Sequence, residues 1–194
     1  MGLPLIVAER SCYSKNYLHN LVMEDLKIRK ADIEDAEAIA AVHVETWQNA
    51  YLGLIPDSYL QSLSIDQRAI TWRQNLQNQH PTSHTLVAEL ENQIVGFIGV
   101  GANRDEDSAS NIAEVFSIYV DPEKQGFGIG STLLNQALAF LKSNGFIGVV
   151  LWVLAENVSS RFWYESRGWR SDGQVKSEHR GDFDLIEVRY LLHF

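Results

Sequence analysis

Three glycines at alternate positions, Gly126, Gly128 and Gly130, stand between an apolar run that stops at Asp121-Pro122 and an apolar-periodic segment over 132–141. This is the order of a strand, a glycine-rich loop and the first turn of a helix. Glycines let several backbone N–H groups converge on one anion, and the helix dipole adds partial positive charge behind them. Gln125, Gly126, Phe127, Gly128, Ile129, Gly130 and Ser131 are therefore candidates to hold a phosphate-bearing molecule, with Lys124 the nearest cation. Two nucleotide motifs fail here. A dinucleotide loop needs a glycine where Ser131 stands, and a Walker loop needs a lysine between Gly130 and Ser131. From spacing alone, two readings stay open: an anion cradle of another kind, or a turn needed only for tight strand–helix packing.

The remaining chemistry-bearing residues are scattered. Glu114 lies on the strand that leads to the loop, Tyr164 follows at helical spacing after Phe162 and Trp163, and Trp47 and Tyr51 end an early helix. The histidines form no His-Glu-x-x-His pair, and Pro81 separates His80 from His84, so no metal site is expected.

The elements that must position these residues follow from hydrophobic period and breakers. Residues 26–29 alternate like an edge strand. Asp32 is the expected N-cap of a helix whose one face carries Ile33, Ala36, Ile39, Ala40, His43 and Trp47. Pro56 opens a short helix, and residues 65–78 read as another. Strands are expected at 85–90 and 94–100, joined as a hairpin, and 101–112 reads as a polar loop. Strand 113–120, helix 128–143 and strand 148–154 form a βαβ unit with parallel strands. A helix over 157–167, closed by Gly168, and strands near 169–176 and 184–192 finish the chain. The fold class is α/β with a mixed sheet. Residues 1–25 have no sustained period, apart from a short helix expected around 16–23, and read as an extension ahead of one domain over 26–194.

Composition narrows the function. With 194 residues, 45% hydrophobic and 21% charged, the chain suits one globular domain. A net charge of -9 argues against general nucleic-acid binding. No apolar run approaches the roughly 18 residues of a membrane span, the first residues make a poor signal peptide, and Cys12 is the single cysteine. A cytoplasmic location is expected.

Two motifs in order resemble one family. Gln125 to Gly130 fits Gln/Arg-x-x-Gly-x-Gly/Ala, the pyrophosphate motif of the GCN5-related N-acetyltransferases (GNAT), and the strand from Glu114 to Pro122 resembles the one that precedes it there. Asn157-Val-Ser-Ser-Arg-Phe-Trp-Tyr164-Glu165, then Gly168-Trp169, is similar to the family's Asn-x-x-Ala-x-x-Phe-Tyr-Glu-x-x-Gly-Phe segment. Trp47-x-x-x-Tyr51-x-Gly53-x-x-Pro56 also follows the family arrangement. The resemblance covers about residues 26–192. Ser160, Trp163 and Trp169 depart from its usual residues, which bears on the shape of the acyl tunnel.

The resemblance implies the GNAT fold: a mixed, mostly antiparallel sheet with flanking helices and a central parallel strand pair that splays apart. It implies acetyl-CoA as cosubstrate, its pyrophosphate on the N–H groups of residues 126–131. The pantetheine arm would pair along Ile118, Tyr119 and Val120, with Asn157 nearby. Tyr164 would protonate the departing sulfur, and Trp47 and Tyr51 would shape the acceptor pocket. Glu114 is a candidate base acting through water, or equally a solvent-facing strand carboxylate. The Ile118 N–H is a candidate oxyanion donor. The expected activity is acetyl transfer to a primary amine, on a small molecule or a protein, by direct attack in a ternary complex. Two alternatives remain: a non-catalytic CoA-binding regulatory or sensor module, and an enzyme using another acyl-CoA. Residues 1–25 are a candidate homodimer contact, and no nucleic acid or membrane partner is expected.

Overall fold

The computed structural model describes residues 25–105 and 107–194. The short helix expected around 16–23, and the dimer contact suggested for 1–25, lie outside them. Among the described residues, seven strands form one sheet in the order β1-β2-β3-β4-β5-β7-β6. They are β1 (Lys27–Lys30), β2 (His84–Leu90), β3 (Gln93–Ala102), β4 (Ile112–Val120), β5 (Gly148–Leu154), β6 (Arg170–Arg180) and β7 (Phe183–His193). Only β4 and β5 run parallel; every other neighbouring pair is antiparallel. The helices are α1 (Ala36–Ala50), α2 (Asp57–Ser62), α3 (Ile65–Gln77), α4 (Ile129–Ser143) and α5 (Val158–Glu165). None of the described helices is long and apolar enough to cross a membrane.

Each sheet face has its own core. Helix α4 places Ile129, Leu133, Leu134, Ala137 and Leu141 on one stripe against β2–β5 and β7, where Trp169 and Tyr190 are also buried. On the other face Ile39, Ala40 and Val42 of α1 and Trp72 of α3 pack on Val87 and Phe97. A short 3-10 turn, Ile33–Asp35, leads into α1. Asp32 caps it by accepting from the Glu34 N–H, while the Asp35 carboxylate accepts from the Asp32 N–H at 2.9 Å. Asp35 also takes both ends of the Arg29 guanidinium, at 2.7 and 2.8 Å, which ties β1 to the start of α1. Burial raises the Asp35 carboxyl, but hydrogen bonds from Arg29 and Asp32 outweigh it and hold the group below its usual value.

The first long helix starts at Ala36, after the 3-10 turn that Asp32 caps, and not at Ile33. Two strand ends also differ from the sequence reading, each for a physical reason. β3 runs through Ala102, so the polar loop starts at Asn103. β6 runs to Arg180 although nearly all of it is exposed, because ladder bonds to β7 define it and no hydrophobic pattern does.

His43 on α1 is half-buried among rings, stacked on Tyr119 with centroids 4.9 Å apart, and its Nδ1 accepts from Trp72 Nε1 at 3.2 Å. Burial, then the charge of Arg68, lowers its pKa from 6.5 to about 3. Between those values the unfolded chain holds a proton that the folded chain does not. Stability is therefore complete above pH 6.5 and is lost as pH falls, by up to about 1.4 kcal/mol per unit. Urea midpoints measured from about pH 7 to 4 should fall less steeply for His43→Gln than for the wild type. Equal slopes would mean that His43 titrates normally.

Candidate functional site

The site begins where the parallel ladder ends. β4 and β5 pair from Ile112↔Gly148 to Val115↔Leu151 and no further. At that point β4 has a bulge: Gly99 pairs with Ser117 and Val100 with Val115, so Phe116 is the extra residue. A bulge bends the strand and increases its twist, which carries the last residues of β4 away from β5. The sheet opens into a cleft of about 460 Å³.

Ladder alternation then decides what faces the gap. The Asp121 N–H donates to the Val95 carbonyl at 2.9 Å, so Tyr119 and Asp121 turn their main chain toward β3. Ile118 and Val120 turn theirs the other way, into the opening. On the opposite bank the Ala155 N–H donates to Ile186 at 2.8 Å, which turns Val153 toward β7 and leaves Trp152 and Leu154 facing β4. Two of these groups are tied off. The Val120 carbonyl accepts from Thr46 Oγ1 at 3.2 Å and Gln125 Nε2 at 3.0 Å, and the Leu154 carbonyl accepts from the Asn157 N–H at 2.9 Å. The Ile118 N–H and carbonyl, the Val120 N–H and the Trp152 carbonyl have no strand opposite them.

The glycine loop closes one end of the cleft. Gly126 and Gly128 have φ of +83° and +85°, a region where a side chain is strained, and Gly128 is the N-cap of α4 with no side-chain cap. The first intrahelical bond runs from the Thr132 N–H to the Gly128 carbonyl, so the N–H groups of residues 129–131 precede the helical ladder. A Cβ on Gly126 would meet nothing within 4 Å. The loop thus offers backbone donors at the positive end of a helix, open to the cleft.

Lys124, Gln125, Gly126, Gly128, Ile129, Gly130 and Ser131 line this end, whereas the Phe127 side chain does not. Gln125 spends its amide on Val120, and the ring of Tyr119 belongs to the α1 face while its backbone bonds β3. Asn157 is buried and caps α5, its Oδ1 accepting from the Ser160 N–H at 3.0 Å. Helix α5 is held by a triangle: Arg161 donates to the Tyr190 hydroxyl at 3.1 Å, which donates to Glu165 at 2.5 Å. That fixes Tyr164, which is buried and lines the cleft. Burial raises the Tyr164, Tyr119 and Tyr51 phenols, so all three keep their protons at neutral pH.

Two expected residues lie elsewhere. Trp47 packs edge-on against Tyr51 in a separate apolar cluster and does not line the cleft, although Tyr51 does. Glu114 is neither solvent-facing nor on the cleft wall: it is 2% exposed, and Arg104 holds it through its guanidinium and, at 3.1 Å, its main-chain N–H. Arg104, itself largely exposed, occupies the carboxylate, which does not reach the cleft wall.

Sequence reasoning missed two groups. Arg167, at the end of α5, stacks on Trp163 at 4.0 Å and donates to Ser131 Oγ at 2.9 Å, which brings a cation to the glycine loop. Trp152 lines the other end of the cleft, its Nε1 donating to Asp105 at 3.0 Å. Its place next to the last parallel rung is the signal that could have found it; Arg167 carries none, since Ser131 is 36 residues away.

Known proteins share this arrangement. The acetyltransferase (GNAT) family profile matches residues 42–169. The chain is 32% identical over 137 residues to the uncharacterized N-acetyltransferase YuaI of Bacillus subtilis, covering 70% of this chain and 76% of that one. It is 27% identical over 171 residues to spermidine N(1)-acetyltransferase of Thermoplasma acidophilum, covering 85% and 98%. A crystal structure of the PaiA N-acetyltransferase of Thermoplasma acidophilum in complex with coenzyme A superposes with a TM-score of 0.64 at 24% identity, covering 87% and 99%; that likeness bears on the fold. Fold and cleft together define an acyltransferase of the N-acetyltransferase kind. The chain belongs to the GNAT family.

The loop can be tested without any ligand. Gly126→Ala forces a Cβ into the left-handed region, at a cost of about 1–2 kcal/mol, with no packing clash to add to it. The unfolding free energy should drop by that amount, read as a lower urea midpoint at unchanged slope; an unaltered midpoint would show that the loop does not need a positive φ.

Proposed function

We propose that this chain transfers the acetyl group of acetyl-CoA to a primary amine by direct attack in a ternary complex. The observation that carries this is a single cleft joining uncapped helix N–H groups to unpaired strand backbone and then to a protonated tyrosine. The backbone donors of residues 126–131 suit a pyrophosphate, with Lys124 and Arg167 as the local cations in a chain of net charge -9. Ile118 and Val120 suit the amide groups of a pantetheine arm, which would run along β4 as an added strand.

The reaction then needs three things. The acceptor nitrogen must be neutral, and because Glu114 is locked to Arg104 the reading assigns its proton to solvent. The nitrogen lone pair forms the C–N bond at the thioester carbonyl, and the Ile118 N–H faces the oxyanion. Collapse breaks the C–S bond, and the Tyr164 hydroxyl passes its proton to the sulfur and regains one from solvent. The raised Tyr164 phenol makes a free phenolate costly, so proton transfer accompanies bond cleavage.

Two measurements test this reading. Tyr164→Phe should lower kcat by about 10²-fold or more in a free-thiol assay, with the CoA dissociation constant from calorimetry within about threefold of the wild type. A variant with full kcat would remove Tyr164 from the chemistry, and no thiol release by the wild type with any amine would overturn the enzyme reading. Arg167→Gln should raise KM for acetyl-CoA about two- to fivefold and weaken its salt dependence. An unchanged KM would leave Arg167 as a helix-end contact to Ser131.

A further inference from the structure

The acceptor end of the cleft holds an arrangement that the acetyl-transfer reading does not use. Trp152 is the first β5 residue past the last parallel rung, so its indole stands where the gap opens. The ring is fixed from behind. Its Nε1 donates to Asp105, and Asp105 is held at 3.0 Å by Arg189, a buried guanidinium that also binds Asp107 and Asp172, each at 2.8 Å. Three carboxylates share one guanidinium, which leaves this wall net negative.

Onto that ring the chain lays an ammonium of its own. Lys176 Nζ sits 4.4 Å from the Trp152 ring centroid and 3.2 Å from Glu187 Oε2. Lys176 is a flexible alkylammonium on the exposed edge strand β6, with 39% of its side chain accessible, so it can leave without disturbing the core. Glu187 is the cross-strand partner of Leu154, two residues past Trp152 on the same face of the sheet, and it stands beside the cleft wall that Trp152 forms. After burial, its charge is among those that hold up the Tyr51 and Tyr119 phenols, both of which line the cleft.

We propose that Trp152 and Glu187 form a subsite for a second, non-reacting ammonium group of the acceptor, whose place Lys176 takes in the free chain, so that the acceptor is a diamine or larger polyamine. This rests on the amine-acetylation reading above and names its substrate class. A cation held by a carboxylate and a π face is stabilised in its protonated form, so it is a poor nucleophile. A group bound here is a handle, and the nitrogen that attacks must be another one of the same molecule. The excess of acidic groups also favours encounter with a polycation.

The test compares 1,4-diaminobutane with butylamine in the free-thiol assay, and measures 1,4-diaminobutane binding by calorimetry. The wild type should favour the diamine by about tenfold or more in kcat/KM. Lys176→Met should lower KM for the diamine several-fold, a gain that misfolding cannot produce. Glu187→Gln should bring the ratio of the two amines close to unity and weaken diamine binding. A wild type without preference, or a ratio and a diamine KM unmoved by both variants, overturns the subsite. If no amine is acetylated, diamine binding that weakens in Glu187→Gln and tightens in Lys176→Met upholds the subsite while the transfer reading falls; binding unmoved in both overturns the subsite as well.

Discussion

A backbone N–H or carbonyl turned away from water must find a partner, and this molecule is organised around a place where a sheet withholds several. The bulge at Phe116 and the end of pairing at Val115↔Leu151 coincide. Without the bulge, the side chains of Ile118 and Val120 would fall on the opposite face from Ala113 and Val115. With it, all four pack against the α4 side. The same extra residue therefore keeps the core continuous and opens the central pair. Side chains then hold the opening at its rim, as Thr46 and Gln125 take the Val120 carbonyl and Asn157 takes that of Leu154. What remains unpaired is a short length of strand edge inside the protein, where an extended amide-bearing ligand can complete the sheet.

The glycine loop and the surface behind Trp152 carry opposite charge. At the loop, positive potential comes from the α4 terminus and from Arg167, so an acidic chain can bind an anion without a broad basic surface. At the far end, Asp105, Asp107 and Asp172 exceed the single Arg189 that binds them. An anionic donor and a cationic acceptor entering one cleft would each meet the field that suits it, which helps keep them from exchanging places.

Local features were legible in the sequence and long-range ones were not. The glycine spacing, the Asp32 cap and the run from Gly148 to Leu154 each depend on a few neighbouring residues, and each element stands where its pattern put it. The Phe116 bulge depends on register with β3, which no single-strand pattern records. Glu114 shows the limit most clearly. Its place on a strand next to the loop made it a candidate base, but its partner Arg104 reaches it from the loop that follows β3, and that contact pairs the buried carboxylate with an exposed guanidinium. Trp47 had the right position along α1 and faces Tyr51 instead of the cleft.

The two halves of the site also differ in what encodes them. The glycine-loop half consists of main-chain groups and needs only glycines where φ is positive and a strand edge left free. Many sequences can satisfy that, so it persists as a short motif. The surroundings of Trp152 consist of side chains that meet from far along the chain: Trp152 with Asp105, Arg189 with Asp107, Lys176 with Glu187. Each contact can be altered by one substitution on an exposed strand or loop while both cores stay intact. One fold can thus keep its main-chain half and vary the side chains around Trp152, because most of those carry little of the stability. Arg189 is the exception among them. It is buried, and losing it would leave three carboxylates facing one another, so the orientation of Trp152 is bound to the stability of the loop from Asn103.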